Sequence, residues 1–377
     1  MVFLRALAVF LGTVIGVGIF SLPYLVLQSG FFVVFGYLAL IAVIVVFEHF
    51  IYAEIALGTE EDYRFPGYVG KYLGNNYKNI AFLITFLALF GALLAYLIVG
   101  GKFLQSLFSD YFNGSEIFYT SLFFIFGAYF IFRGIDNISK IELFLLVFLF
   151  AILLLFFSKS LNFINPNYFF NFNRDFLFFP YGVVLFSLWG ASAVPEIEEI
   201  FIKGGQSKEK IEKNVKKVIS FGIIIAVLTY LLFIIIVYGA SGLNTSKEAI
   251  SGLSNFFGPG MIRAGYIFGI ICCFTSFISI GVTLKKIFWK DFNISKNLSW
   301  ALACFIPFVF FILGAREFIK IIGFTGSLAI GAEGIFAVFL YKKFLKEKFL
   351  KNMNIFYYFL SAVFFLGILF EIYYYFL

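Results

Sequence analysis

Apolar runs of roughly 17–25 residues, the length that crosses a bilayer as a helix, alternate with short polar connections along almost the whole chain. Eleven such runs predict helices over 4–28, 31–57, 79–108, 116–132, 140–157, 176–202, 216–240, 263–288, 297–313, 317–341 and 352–376. The stretch 243–262, rich in Ser and Gly, reads as a loop with some helix. Segment 59–78 reads either as a short amphipathic helix or as a polar loop.

Two of the apolar runs are interrupted in the same way. Gly18 precedes Pro23 and Gly190 precedes Pro195, so the prolines stand 172 positions apart. Gly costs a helix about 1 kcal/mol and Pro about 3 kcal/mol. In hydrocarbon the freed backbone groups cost more unless they line a cavity or meet a ligand. Matched Gly/Pro interruptions in corresponding halves point to a transporter built from inverted repeats, with its substrate site at the breaks. Aligning Pro23 with Pro195 gives a first five-helix repeat at 1–157, an outer loop at 158–175, a second and inverted repeat at 176–341, and an additional C-terminal helix at 342–377. The expected fold is therefore an all-α integral membrane protein with discontinuous helices one and six.

Composition agrees with that reading. The chain is 62% hydrophobic and 13% charged with a mean hydropathy of +1.00, against about 45–50% and 25% in soluble domains. Of its 28 Lys and Arg residues, 21 fall in connections on one side and seven on the other. By the positive-inside rule the N-terminus is cytoplasmic and the C-terminus outside, in a multi-pass protein of the cell (plasma) membrane. The first apolar run continues through the glycine-rich stretch and reads as a signal-anchor rather than a cleaved leader. The net charge of +7 sits in loops, which argues against a nucleic-acid partner and for the lipid bilayer. Three cysteines, Cys272, Cys273 and Cys304, and one histidine leave no disulfide framework and no metal cluster. No catalytic constellation can be assembled, so an enzyme is not expected.

A zwitterionic small molecule needs partners for a carboxylate and an ammonium. The half-helix N-terminus after Gly16 offers N–H groups of Val17, Gly18 and Ile19 to a carboxylate. Unwound carbonyls of Gly12 to Gly16 and of Trp189, Gly190 and Ala191 suit a cation or an ammonium. Phe20, Ser21, Phe186, Trp189 and Ser192 are expected to line the pocket, with Tyr96 and either Gly326 or Ser327. Ionisable residues inside apolar runs are functional candidates, here Glu48, His49, Glu196 and Glu333 for proton coupling or gating, with Glu196 foremost. Glu54, Glu198 and Glu199 are expected at the interface, in water.

The run from Gly12 to Tyr24 resembles the first-helix motif of permeases in the amino acid/polyamine/organocation superfamily. Ala95 to Gly101 is similar to the amino acid/auxin permease branch, and Thr275-Ser276-Phe277 resembles the tryptophan/tyrosine (aromatic amino acid) permease branch. The resemblance implies the five-plus-five inverted-repeat fold and a cation-coupled amino acid symporter, for aromatic or other neutral substrates, working without a cofactor. It also implies a site for Na+ formed by the carbonyls of Gly12, Ile15 and Cys272 and the hydroxyls of Thr275 and Ser276, oxygen ligands that suit a hard cation. The competing reading is that both hydroxyls bond back to their own helix. Coupling to H+ is the alternative to Na+. Some relatives carry a helix-five lysine at the cation position, whereas here Lys140 and Glu142 stand only at the start of that helix. A non-transporting amino-acid receptor of permease fold, akin to a germinant-receptor subunit, is the alternative function.

Overall fold

The computed structural model describes residues 2–134, 138–348 and 355–376, and the regular elements among them are all helical. The first apolar run is two helices, α1 (Val2–Val14) and α2 (Leu22–Ser29), joined by a 3-10 turn at Val17–Ser21 and bent by 44°. Pro23 stands in the first turn of α2, where its missing N–H leaves no helical bond unmade. Gly30 ends α2 at φ 99°, and a Cβ there would lie 2.3 Å from the Asn171 carbonyl oxygen. Both the left-handed backbone and the space require glycine.

The following helices are α3 (Phe31–Gly58), α4 (Phe65–Leu73), α5 (Asn75–Phe108), α6 (Glu116–Arg133) and α7 (Ile138–Ser160). The second interruption then repeats the first. Helix α8 (Pro180–Leu188) stops, Trp189 and Gly190 are unwound, a 3-10 turn covers Ala191–Ala193, and α9 (Val194–Lys203) restarts with Pro195 in its first turn. The chain continues through α10 (Lys208–Ser241), α11 (Pro259–Lys286) with a π turn at Ile287–Asp291, and α12 (Lys296–Ile312). Helices α13 (Phe318–Phe324) and α14 (Gly331–Glu347) are joined by a π turn at Thr325–Ile330, and α15 (Ile355–Phe376) is last.

Seven of these helical stretches are long and apolar enough to cross a membrane, and the bent pair α1–α2 makes an eighth. Shorter apolar helices, Leu146–Ser160 and Lys296–Ile312, accompany them. Several are apolar around their whole circumference, as lipid-facing helices are. In α3, for example, only 33% of the most apolar window is buried within the protein.

Segment 59–78 contains the expected short helix, and it is packed inward. Its helix α4 buries Phe65, Tyr68, Val69 and Tyr72 against α5 and α14. Its N-terminus is capped from a distance, since the Asp291 carboxylate accepts the N–H groups of Arg64 (3.2 Å) and Gly67 (3.0 Å). A carboxylate there satisfies free donors and complements the helix dipole. Segment 243–262 folds as 3-10 turns at Gly242–Asn244 and Ser251–Leu253, with Ile250 and Leu253 buried, before α11 begins.

Packing places the two breaks together. Helix α1 packs on α7, α9, α10 and α11, while α8 packs on α3, α13 and the π turn after it. Gly18 sits against Ser187, so the 3-10 turn of the first interrupted helix touches the last turn of α8.

Candidate functional site

Breaking a helix frees carbonyls at the end of the first half, and one residue answers both breaks. The Tyr230 hydroxyl, from α10, lies 2.7 Å from the Val14 carbonyl oxygen and 2.6 Å from that of Ser187. The second break has a further tie, because the Gly190 N–H donates to His49 Nε2 at 2.8 Å.

Between the breaks and α4 lies a small cavity of about 50 Å³. Gly18, Phe186, Trp189, Ala191 and Ser192 border it, as does Tyr96. Its wall is largely apolar, with polar atoms from Thr13, Thr85, Ser187 and Glu333. Thr85 donates to Glu333 at 3.4 Å.

Other expected pocket residues stand elsewhere. Phe20 is fully buried in an aromatic cluster with Phe103, Phe268 and Phe233, ring centroids 4.9, 5.7 and 5.8 Å away. It shuts one end of the site instead of lining it, because the 3-10 turn rotates it off the cavity. Val17, Ile19 and Ser21 are likewise buried outside the cavity wall, and the Ser21 hydroxyl donates to the Gly18 carbonyl at 2.6 Å. Gly16 is a contact point for the Tyr96 hydroxyl, which a Cβ would meet at 2.4 Å, and Gly190 is packed on Val14 and Phe10. Gly326 lies against the Gly182 carbonyl, and Ser327 donates to Glu371 at 2.7 Å and to the Gly323 carbonyl at 3.0 Å. Neither lines the cavity.

The opposite end is closed by charge. Arg64, 2% exposed, borders the cavity and donates to Glu196 at 2.9 Å and to Asp62 at 2.7 Å. Lys286 binds the same Glu196 carboxylate at 2.6 and 2.8 Å, and Lys290 pairs with Asp62. Burial would lower the Arg64 basicity, but the Glu196 and Asp62 carboxylates more than offset it and hold the guanidinium charged. Glu196 is thus a member of a paired floor and not a free carboxylate. Beyond this floor is a wide vestibule bordered by Glu196, Glu199 and Lys286 among others.

Among the remaining ionisable residues, Glu48, His49, Glu198 and Glu333 are buried. Glu198 therefore departs from the interfacial position expected for it, because α9 turns that face toward the protein. Glu54 pairs with Lys216 at 2.7 Å and accepts from Tyr341 at 2.5 Å, and Glu199 pairs with Lys203. The side chains of Lys140 and Glu142 lie outside the described residues.

A second, small cavity is bordered by Gly12, Ile15, Cys272 and Thr275. Thr275 donates to the carbonyls of Ile271 (3.0 Å) and Cys272 (3.3 Å), its own helix, while the Ser276 hydroxyl reaches across to the Gly12 carbonyl at 2.8 Å. All five residues are drawn to one place between α1 and α11. The three cysteines are free and buried.

Sequence reasoning missed Tyr52, Arg64 and Thr283 as cavity residues. Arg64 carried one signal, a cation next to Phe65-Pro66 between two apolar runs; Tyr52 and Thr283 carried none.

A bundle of membrane-length helices enclosing a cavity at two facing helix breaks, with buried ion pairs beside it, is the architecture of a membrane carrier. Solved structures share the fold. A nucleobase-cation-symport-1 family transporter, MHP1, in a closed conformation with bromovinylhydantoin bound, matches with TM-score 0.70 at 13% identity, covering 91% of this chain and 78% of that one. MhsT in complex with L-phenylalanine matches with TM-score 0.69 at 16% identity over 98% and 97%. "Glutamine transporter 2" of Aliivibrio fischeri is 20% identical over 335 residues, 85% of this chain and 83% of its own. The tryptophan/tyrosine permease family profile matches residues 2–374, and the chain belongs to that family of amino acid transporters.

Proposed function

We propose that the protein is a cation-coupled symporter that carries a neutral amino acid across the plasma membrane by alternating access. The observation that carries this reading is the cavity between two broken helices, bordered by Gly18 of the first, where backbone N–H groups begin a helical turn, and by Trp189, Ala191 and Ser192 of the second. Those N–H groups take the carboxylate, and unwound carbonyls take the ammonium. The largely apolar wall takes an uncharged side chain. Eleven crossings arranged as inverted repeats at 1–157 and 176–341 follow from the matched breaks, with the N-terminus in the cytoplasm on the basic side. In that orientation the Phe20 cluster is the outer closure and the Arg64–Glu196 floor the inner one.

The coupling ion is Na+, bound by Gly12, Ile15, Cys272, Thr275 and Ser276. Gly12, Ile15, Cys272 and Thr275 border one small cavity and the Ser276 hydroxyl reaches the Gly12 carbonyl from α11, which supports this placement. Uptake of labelled neutral amino acids into proteoliposomes tests the proposal. Accumulation is expected under an inward Na+ gradient, falling at least tenfold in Ser276→Ala and Thr275→Val. Accumulation under an H+ gradient alone would overturn the ion assignment, and binding without accumulation would overturn transport.

A further inference from the structure

His49 is the one histidine of the chain and is fully buried. Its partners fix its tautomer. Nδ1 lies 2.6 Å from the Val45 carbonyl oxygen, which can only accept, so Nδ1 carries the proton. Nε2 lies 2.8 Å from the Gly190 N–H, which can only donate, so Nε2 presents a lone pair. The ring is held edge-on between Phe10 at 5.9 Å and Trp189 at 5.2 Å. His49 therefore supplies an acceptor to an N–H that the break has removed from its helix.

The position matters because Gly190 has no freedom elsewhere. A Cβ on it would lie 2.7 Å from Val14 and 3.0 Å from Phe10, so its other side rests on α1. Its neighbours Trp189 and Ala191 border the central cavity. One hydrogen bond thus locates the stretch of backbone that shapes the substrate site.

The same geometry makes the bond sensitive to a proton. An imidazolium carries N–H on both nitrogens, so a proton on Nε2 faces the Gly190 N–H donor to donor. The charge has a counterpart waiting. Glu48 Oε2 lies 3.0 Å from Nδ1, yet it is buried without a hydrogen bond because the Nδ1 proton is aimed at Val45. From α14, Glu333 interacts with Glu48 and also borders the cavity. Of the other elements packed on α3, α9 contributes Glu196 and Glu198, and α10 contributes Lys216, already paired with Glu54.

We propose that His49 is a positioning residue for the substrate site: neutral and protonated on Nδ1, it holds the break between α8 and α9 through the Gly190 N–H, and a proton on Nε2 releases that break. This rests on the reading of the central cavity as the amino acid site. Release loosens Trp189 and Ala191, so the KM for substrate rises as pH falls while the amount of inserted protein stays constant.

Two readouts test it. His49→Gln can place an amide oxygen near the Nε2 position and cannot be protonated, so it keeps uptake within about twofold at pH 8 and loses the pH dependence of KM. His49→Leu orphans the Gly190 N–H and raises KM on the order of tenfold, the scale of a buried donor left unpaired. The second readout needs no transport. With Trp289 and Trp300 replaced by Phe, the emission of Trp189 should change with pH, and that change should disappear once His49→Gln is added. Titration without uptake would retain the His49 bond and refute the transporter. Trp189 emission that ignores pH, or a His49→Gln profile superimposable on that of the unaltered protein, would overturn the proposal.

Discussion

Gly18→Ala adds one carbon where the two broken helices touch. That Cβ would lie 2.4 Å from Ser187 Oγ, 2.8 Å from its Cβ and 2.9 Å from its Cα. The hydroxyl can swing aside by giving up its 2.7 Å bond to the Val183 carbonyl, but the Cα cannot. Carbon atoms rest about 3.5–4.0 Å apart, so the breaks must separate by roughly 0.6–1.1 Å. Overpacking of this kind costs about 1–3 kcal/mol, and at about 1.4 kcal/mol per decade substrate affinity should fall about 5- to 150-fold. Equilibrium binding and uptake, normalised to inserted protein, measure the effect. Gly36→Ala is the matched control, since a Cβ there meets nothing within 4 Å. Ser187→Gly should return part of the loss by removing two of the three contacts, and Gly18→Leu should abolish uptake with insertion intact. Gly18→Ala with affinity and uptake within twofold of the unaltered protein would refute contact between the breaks as the basis of the site.

Tyr230→Phe removes the donor shared by Val14 and Ser187. The Val14 carbonyl keeps the Gly16 N–H at 2.9 Å, so the loss falls mainly on Ser187, about 1–3 kcal/mol for one buried acceptor, read as a lower Tm in detergent. Arg64→Gln leaves Glu196 with Lys286 alone and opens the floor. A cysteine introduced at Ala88 in a cysteine-free background should then react faster with an impermeant thiol reagent applied from the basic face, and an unchanged rate would contradict the gate. Asp62 is pushed up by burial, but its bonds to Lys290 and Arg64 outweigh this and hold it below the usual carboxylate range. A depressed carboxylate stabilises above its unfolded pKa and loses that contribution as pH falls through the folded one. Asp62→Asn should therefore lower Tm near neutral pH, with the difference vanishing below about pH 4.

Much of the architecture was legible because its signals are local. A run of apolar residues must be helical in lipid, and a Pro five positions after a Gly interrupts that helix wherever it occurs, so the breaks at Gly18–Pro23 and Gly190–Pro195 could be read directly. Gly18, Phe186, Trp189, Ala191 and Ser192 border the cavity because they flank those breaks. Phe20 does not, since period alone could not show that a 3-10 turn would rotate its ring onto Phe103 and Phe268. Segment 59–78 was legible as a short helix or a loop but not as a packed one, because its charges pair with partners remote in sequence, as Arg64 does with Glu196.

The sequence by itself determined the class of structure and the places where helices yield. These depend on side-chain hydropathy and on backbone chemistry at single residues. The tertiary structure decided which groups meet across the breaks: Tyr230 on two carbonyls, His49 on Gly190, and Asp291 capping α4. Each of these is a hydrogen bond between residues far apart in the chain. Its existence depends on distances of less than an ångström in the packing of whole helices, which no periodicity in the sequence encodes.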